Sequence, residues 1–227
     1  MSRLKAIILT LFILALICAL VWMSGITRLS IWTNSSDMRF EPDSSFKGRI
    51  VVTLVERKTG PEQKLEFMID LDRGQISTSP SSQFIGPLSP GGRIDDCQHA
   101  GPVEVPAPSS QLFANCLLEG VNRSYVSTVV NIMRRNSNVQ VRQWAAPEGW
   151  DICGLTWSGD SGSVAVLLEK ERMDLGPVGL LSAASGHPIP LETFEVTVLS
   201  VQPGRELKLP IIRKDSPSGW ARIDWIQ

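Results

Sequence analysis

An uncharged run near the N-terminus is the feature that most restricts how this chain can fold. Ala6–Met23 is a stretch of 18 residues without a charged side chain, and Thr10 carries its only hydroxyl. At 1.5 Å per residue, a helix of this length spans about 27 Å, close to the roughly 30 Å hydrocarbon core of a bilayer. Backbone polar groups find no partners in lipid, so a run that enters a membrane must be helical. The sequence therefore predicts one N-terminal transmembrane helix over residues 6–23.

The basic residues around this run predict its orientation. Arg3 and Lys5 precede the run together with the α-amino group, whereas Arg28 follows it. By the positive-inside rule, the N-terminus is cytoplasmic and the bulk of the chain lies on the periplasmic or extracellular side. We therefore divide the chain into a transmembrane anchor over 1–25, a juxtamembrane linker over 26–35 and an extracytoplasmic domain over 36–227.

Three other interpretations of the run stay open. A cleaved signal peptide has the same basic start, but its apolar region is usually about 7–15 residues long and ends at a small-x-small site. This run ends instead in the bulky residues Val21–Met23. Cys18 suggests a lipoprotein, although Ala15–Ile17 before it resembles a lipobox poorly. A buried core helix is disfavoured because the run has no polar face.

The rest of the chain is rich in β-forming residues and repeats one layout three times. Short apolar and β-branched runs are broken by Gly, Pro, Asn and Asp, which predicts an all-β fold. Each unit has a turn, a middle strand and a closing hairpin, and the hairpin turns at Gly74, Ser137 and Gly204 are 63 and 67 residues apart. A period of roughly 50–70 residues with four strands is typical of a propeller blade. The predicted middle strands are Arg49–Glu56, Gln111–Leu118 and Ser163–Glu169, and the hairpins are Leu65–Leu71 with Gln75–Thr78, Ser127–Met133 with Val139–Trp144, and Phe194–Val201 with Glu206–Ile212.

The third unit carries the most specific motif. Gly154–Val166, GLTWSGDSGSVAV, resembles the L-x-W-S-P-D-G-x-x-[IL]-A-[VF] hairpin of TolB-type and WD-like β-propellers, with Gly159 in place of the proline and one extra residue between Asp160 and Gly162. The resemblance implies that Trp157 packs between neighbouring sheets and that the Asp and Gly form a tight turn. It implies a fold and says little about function. We expect an all-β, partial or short β-propeller-like array of four-stranded antiparallel units.

Two segments depart from this layout. Arg172–Leu191 lengthens the third unit and is predicted to form an extra hairpin, because surface loops lengthen at little entropic cost. Ala221–Trp225 predicts one further strand, yet three units and a strand do not make an ordinary ring of four to eight blades. Four outcomes stay open for this strand: it pairs with the first unit, the ring is open, another chain completes it, or the gene is shortened.

Ser161 is the one candidate nucleophile. The string Gly159–Gly162 surrounds the nucleophile of chymotrypsin-like proteases, but a serine needs a histidine base and an orienting carboxylate. His99 precedes Ser161 by 62 residues, too few for the second barrel of that family, and His187 lies in a Gly-His-Pro turn. A turn explains the string better, and an envelope hydrolase using Ser161 is kept as the alternative function.

Other chemistry is weak in this sequence. The carboxylates of Asp70, Asp72 and Asp95–Asp96 follow no calcium-loop pattern and are expected in solvated turns. Five tryptophans could line a ligand surface, but their positions at strand ends favour packing between sheets. These are Trp144, Trp150, Trp157, Trp220 and Trp225. We predict no catalytic set, no cofactor and no metal.

The sequence does not decide whether a disulfide forms or whether the chain is N-glycosylated. Outside the apolar run there are three cysteines, Cys97, Cys116 and Cys153, so at most one disulfide can form among them. Asn34 and Asn122 begin N-x-S sequons, which matter only in a eukaryotic secretory pathway.

Charge narrows the choice of partners. The chain has 22 Lys and Arg against 23 Asp and Glu, without the basic excess that nucleic-acid binding usually shows. The sequence predicts a single-pass protein whose residues 6–23 contact the bilayer and whose domain binds or scaffolds a protein, peptide or glycan. A remnant of a longer propeller without a function of its own is the remaining alternative.

Overall fold

The chain divides into two compact units. A computed structural model describes residues 12–17, 38–56, 63–80, 93–94, 104–121, 124–173, 176–186, 190–217 and 219–226. The larger unit comprises Asp37–Glu171 and Leu191–Gln227, and the smaller unit comprises Met1–Ser36 and Arg172–Pro190.

The described residues form 15 strands, a short helix in the insertion and a helical segment over residues 12–17. In chain order the strands are β1 Met38–Arg39, β2 Arg49–Glu56, β3 Gln63–Asp70, β4 Gln75–Pro80, β5 Arg93–Ile94, β6 Val105–Pro106, β7 Leu112–Val121, β8 Ser124–Arg134, β9 Val139–Ala145, β10 Asp151–Trp157, β11 Ser163–Met173, β12 Pro190–Ser200, β13 Glu206–Lys208, β14 Arg213–Pro217 and β15 Gly219–Ile226. The helix is Pro177–Ala184.

The strands form three antiparallel sheets. The first has the order β1–β4–β3–β2–β15, and the second has the order β13–β12–β11–β10–β5 with β14 beside β12. The third has the order β6–β7–β8–β9. The all-β fold built from antiparallel sheets is confirmed, and the predicted middle strands and hairpins lie within a few residues of the observed ones.

The second sheet is buried on both faces. Val164, Val166 and Leu168 of β11 belong to the core shared with the third sheet, whereas Ala165 and Leu167 belong to the core shared with the first. A strand covered on both faces needs apolar residues at every position rather than at alternate ones. This double burial explains the unbroken apolar run of β11.

The C-terminal strand pairs with the first sheet, which was one of the four outcomes left open. β15 lies antiparallel to β2 along its whole length, from Gly219 opposite Glu56 to Ile226 opposite Arg49. Its apolar residues Ala221, Ile223 and Trp225 are buried in the core between the first and second sheets.

The extra hairpin predicted for Arg172–Leu191 is wrong, because this segment contains the helix Pro177–Ala184. Proline is well tolerated in the first turn of a helix, and leucine and alanine are good helix formers. Gly186, with φ +83°, follows the helix and suits its termination. Gly176, Pro177 and Gly186, three of the residues that suggested a hairpin, therefore lie at the ends of a helix.

The predicted transmembrane helix lies mostly outside the described residues, and the linker over 26–35 lies wholly outside them. Residues 12–17 are helical and exposed. Among the described residues, no helix is both long enough and apolar enough to cross a bilayer.

Candidate functional site

Six turns of the larger unit lie at corresponding ends of its sheets. In each sheet the turn before the middle strand is bonded to the turn of the closing hairpin by the same type of backbone hydrogen bond, N–H to C=O. The three bonds run from Leu71 to Gly48 at 3.0 Å, from Arg135 to Gln111 at 2.9 Å and from Val201 to Gly162 at 2.9 Å. We call the surface made by residues 43–48, 71–74, 107–111, 135–138, 158–162 and 201–205 the turn face.

Side chains connect the turns of different sheets. The Ser109 N–H of the third sheet donates to Ser161 Oγ of the second at 2.9 Å. The Arg205 guanidinium of the second sheet donates to Ser45 Oγ of the first at 3.2 Å. The six turns therefore form one continuous surface rather than three separate ends.

Two of these turns share one backbone conformation. The N–H of Ala107 donates to the carbonyl of Leu112 at 2.9 Å, and the N–H of Ser158 donates to the carbonyl of Ser163 at the same distance. The fourth residue of each turn has a positive φ, 59° at Ser110 and 61° at Ser161. The repeat seen in the sequence is thus repeated in hydrogen bonding, although only one of the two turns carries the Asp-x-Gly motif.

Ser161, the candidate nucleophile, has a structural role in this turn. Ser161 is only 7% exposed, and its hydroxyl oxygen accepts the hydrogen bond from the Ser109 N–H. His99 and His187, the two potential bases, lie outside the described residues. Among the described residues no histidine is available to activate the hydroxyl.

Asp160 stabilises the same turn. Its Oδ1 accepts hydrogen bonds from Ser158 Oγ at 2.6 Å and from the Gly162 N–H at 2.9 Å. These bonds favour the ionised carboxylate and hold the pKa of Asp160 below its ordinary value. The tight turn implied by the resemblance is therefore observed.

Acidic and basic side chains behave differently on the turn face. The carboxylates of Asp43, Asp72 and Asp160 accept backbone hydrogen bonds from Ser45 at 2.8 Å, Gly48 at 3.0 Å and Gly162 at 2.9 Å, respectively. The bond from Ser45 lowers the pKa of Asp43. Five basic residues on or beside the face are exposed, namely Lys47, Arg73, Arg134, Arg135 and Arg205. The three carboxylates thus stabilise the turns. Among the basic residues, Arg205 donates to Ser45 and the Arg73 Nε lies 3.9 Å from Asp70 Oδ2, yet all five side chains keep contact with solvent.

Three of the five tryptophans are buried between sheets, and a fourth, Trp150, packs against one of the same cores. Trp157 is fully buried in the core shared by the second and third sheets, and its Nε1 donates to the Val105 carbonyl at 2.9 Å. Trp144 lies in the same core, and Trp225 lies in the core of the first and second sheets. Trp150 is half-buried, with Lys170 Nζ 5.9 Å from its ring centroid. Trp220 lies in β15, and its side chain is outside the described set.

Arg142 is a structural residue that the sequence reasoning missed. Its buried guanidinium donates to the carbonyls of Ser200 and Arg205. These bonds connect β9 of the third sheet to the β12–β13 turn of the second. Glu206 Oε2 lies 4.0 Å from its Nη2 and accepts a 2.9 Å bond from Trp144 Nε1. Burial lowers the pKa of Arg142, although Glu206 opposes the shift. The sequence does contain one signal for this position. Arg142 and Trp144 are two residues apart in one strand, so both side chains lie on the same face of the sheet.

The remaining candidates do not gather into a site. Asp70 accepts a bond from the Arg73 N–H at 3.0 Å, so it and Asp72 are turn carboxylates as expected, whereas Asp95–Asp96 lie outside the described residues. Within the described ranges, no three His, Cys, Asp or Glu residues are placed to hold a metal ion.

The cysteines that can be placed lie in different cores. Cys116 is buried between the second and third sheets, and Cys153 is buried between the first and second. The Cys153 thiol donates to the Leu167 carbonyl at 3.5 Å. Cys97 and the sequon residues Asn34 and Asn122 lie outside the described residues.

Comparison of the chain with protein-family models, with curated proteins and with solved structures finds no match, so the turn face has to be interpreted from its own chemistry.

Proposed function

We propose that this chain is a membrane-anchored, extracytoplasmic binding or scaffolding module whose turn face presents loops to a protein, peptide or glycan partner. The observation that carries the proposal is the connection of six turns from three sheets into one surface. Loops held by a rigid scaffold are where binding residues concentrate.

The side chains of the turn face support a partner with anionic groups. Five exposed basic residues lie on or beside the face, and the three acidic residues of the face have their carboxylates hydrogen-bonded to backbone N–H groups. Guanidinium groups bind carboxylate, sulfate and phosphate oxygens through two parallel hydrogen bonds. We expect the partner to present carboxylates on a protein or peptide, or acidic groups on a glycan.

A short β-propeller-like arrangement is part of the proposal. Its support is the three-fold repetition of turn pairing, the repeated conformation of two turns and the position of Trp157 between two sheets. In such an array the turns at one end of every unit contribute to one surface.

The proposed anchor rests on the apolar run and on the exposure of its described part. Phe12, Ile13, Leu14, Leu16 and Ile17 are each 47–66% exposed. Consecutive exposed side chains of this size are unfavourable in water and favourable in lipid.

Photocrosslinking in cells tests the binding surface. A photoreactive amino acid at Ser137, on the turn face, is expected to give a discrete adduct with a partner. The matched control is Glu148, an exposed residue in the loop between β9 and β10 at the other end of the third sheet. Equal adducts at both positions, or none at Ser137, would contradict the proposal.

Membrane topology is tested separately. The full chain should retain its own N-terminus and stay with membranes through an alkaline wash, and external protease should digest the chain beyond about residue 30. A soluble product that begins near residue 25 would mean a cleaved signal peptide instead.

A further inference from the structure

We infer that the insertion helix Pro177–Ala184 lies on the membrane surface, with its exposed apolar side in contact with lipid at the boundary between headgroups and acyl chains. The inference rests on the proposed anchor and adds a second membrane contact to it. The helix would therefore contact the outer, extracytoplasmic leaflet of the bilayer, on the same side of the membrane as the larger unit.

Exposed apolar side chains are concentrated in the smaller unit. Among the described residues, eight large apolar side chains are exposed, and six of them belong to this unit. Five are in residues 12–17, and the sixth is Leu180 of the insertion helix, which is 54% exposed. The larger unit contributes only Val139 and Ile211, although it holds most of the described chain. Among the described residues, the exposed large apolar side chains are thus concentrated in the smaller unit, where Leu180 accompanies those of the apolar run.

Charge is absent from the insertion. No Asp, Glu, Lys or Arg occurs between Asp174 and Glu192, whereas Glu169–Arg172 just before it is fully charged. An exposed surface helix in water normally carries charged residues on its outer side. The exposed side of this helix bears Leu180, Ala183 and Ala184 and carries no charged residue.

The length of the helix fixes how it meets the membrane. Eight residues span about 12 Å, far less than the roughly 30 Å of a hydrocarbon core, so the helix cannot cross a bilayer. Its first backbone bond runs from the Leu180 N–H to the Gly176 carbonyl at 2.8 Å, and after its end the Gly186 N–H donates to the Ala183 carbonyl at 3.0 Å. A short helix without charged residues can enter the membrane only as far as the interfacial region, where its polar backbone groups still reach water.

The grouping of the insertion with Met1–Ser36 selects lipid as the occupant. The insertion belongs to the same compact unit as the segment that holds the apolar run, although more than 130 residues of the larger unit separate the two along the chain. If the run is in the bilayer, a helix in its compact unit is carried to the bilayer surface.

Depth measurement on the full chain in lipid vesicles tests this inference. A Leu180→Cys variant with Cys18 and Cys97 changed to serine carries an environment-sensitive fluorophore at position 180. Gln202→Cys, in an exposed turn of the larger unit, is the matched control in the same background. Ala183→Cys is a second reporter in case Leu180→Cys alters folding.

Lipids with a quencher in the acyl chain should quench the label at 180 several-fold more than the label at 202, and aqueous iodide should do the opposite. Equal quenching of both labels by iodide would overturn the inference. Protection of position 180 from both quenchers that disappears when the protein is diluted into excess lipid would mean a second copy of the chain, and would also overturn it. Release of the protein by an alkaline wash refutes the anchor itself, whereas retained protein with an iodide-accessible Leu180→Cys label refutes only the interfacial helix.

Discussion

The backbone N–H of Ser109 donates a 2.9 Å hydrogen bond to Oγ of Ser161. This bond joins turns of two different sheets, although the two residues are 52 positions apart in the chain. The hydroxyl that most resembles a catalytic nucleophile in the sequence is therefore an acceptor inside a turn–turn contact. Ser161 also has φ +61°, a conformation that costs a non-glycine residue about 1–2 kcal/mol.

Substitutions of Ser161 separate the bond from the backbone strain. Ser161→Ala loses the bond and keeps the strain, so we expect the free energy of unfolding to fall by about 1 kcal/mol. Ser161→Gly loses the same bond but removes the strain, and its thermal midpoint should lie near that of the unchanged protein. Thermal melting of the detergent-solubilised chain measures both. A hydrolytic activity that disappears in Ser161→Ala, with the midpoint unchanged, would instead support the hydrolase.

Asp160 should make the stability of the same turn dependent on pH. The folded-state pKa lies below the ordinary 3.8, so the carboxylate stabilises the fold above that value and this contribution is lost as pH falls through the folded pKa. Asp160→Asn keeps an acceptor oxygen but does not titrate. We expect it to be less stable than the unchanged protein at pH 7, by no more than about 1 kcal/mol because the group is exposed. Denaturant titrations at pH 7 and pH 3 measure the difference, which should shrink at pH 3, and a constant difference would contradict the assignment.

Arg142 is expected to be the most sensitive charged residue of the larger unit. Arg142→Ala removes a buried donor from the carbonyls of Ser200 and Arg205, which should cost about 2–4 kcal/mol of unfolding free energy. Arg142→Lys keeps the charge but has no planar fork, so an intermediate loss is expected. Arg135→Ala, on the exposed β8–β9 turn, is the control and should cost almost nothing. Urea midpoints rank the three variants, and equal effects of Arg142→Ala and Arg135→Ala would show that the buried contact contributes nothing.

The elements that could be predicted from sequence are those specified by local signals. The middle strands and closing hairpins follow from β-branched runs separated by turn residues, and β15 follows from the alternation of Ala221, Ile223 and Trp225. The helix Pro177–Ala184 was missed because its Gly and Pro residues indicate a hairpin turn as readily as a helix boundary. The role of Arg142 and the joining of turns from different sheets depend on contacts between residues 52 to 160 positions apart. The spacing of residue types in the sequence does not specify such contacts.

Gly74 is predicted to tolerate no side chain, in contrast to Gly204. Both have a positive φ, +63° and +87°, but a Cβ on Gly74 would lie 2.2 Å from the Phe40 carbonyl oxygen, whereas nothing lies within 4 Å of one on Gly204. Gly204→Ala should therefore cost only the conformational term of about 1 kcal/mol. Gly74→Ala should cost clearly more, because the backbone of Phe40, the residue after β1, has to move. Thermal midpoints compare the two variants, and equal losses would mean that the Phe40 contact yields without cost.

Removal of the last strand should cost most of the stability of the larger unit. A chain truncated before Trp220 loses the pairing of β15 with β2 and the buried side chains of Ile223, Trp225 and Ile226. At roughly 1.5–3 kcal/mol per large buried side chain, the loss approaches the 5–15 kcal/mol margin of a typical domain. It also exposes the unpaired edge of β2, which favours aggregation. We therefore expect the truncated chain to be unfolded or aggregated in detergent. Arg222→Lys, which preserves the positive charge beside Asp224 in the same strand, should fold normally. Protease resistance and thermal melting of the two variants decide the matter, and equal midpoints would show that β15 is a frayed tail that the core does not need.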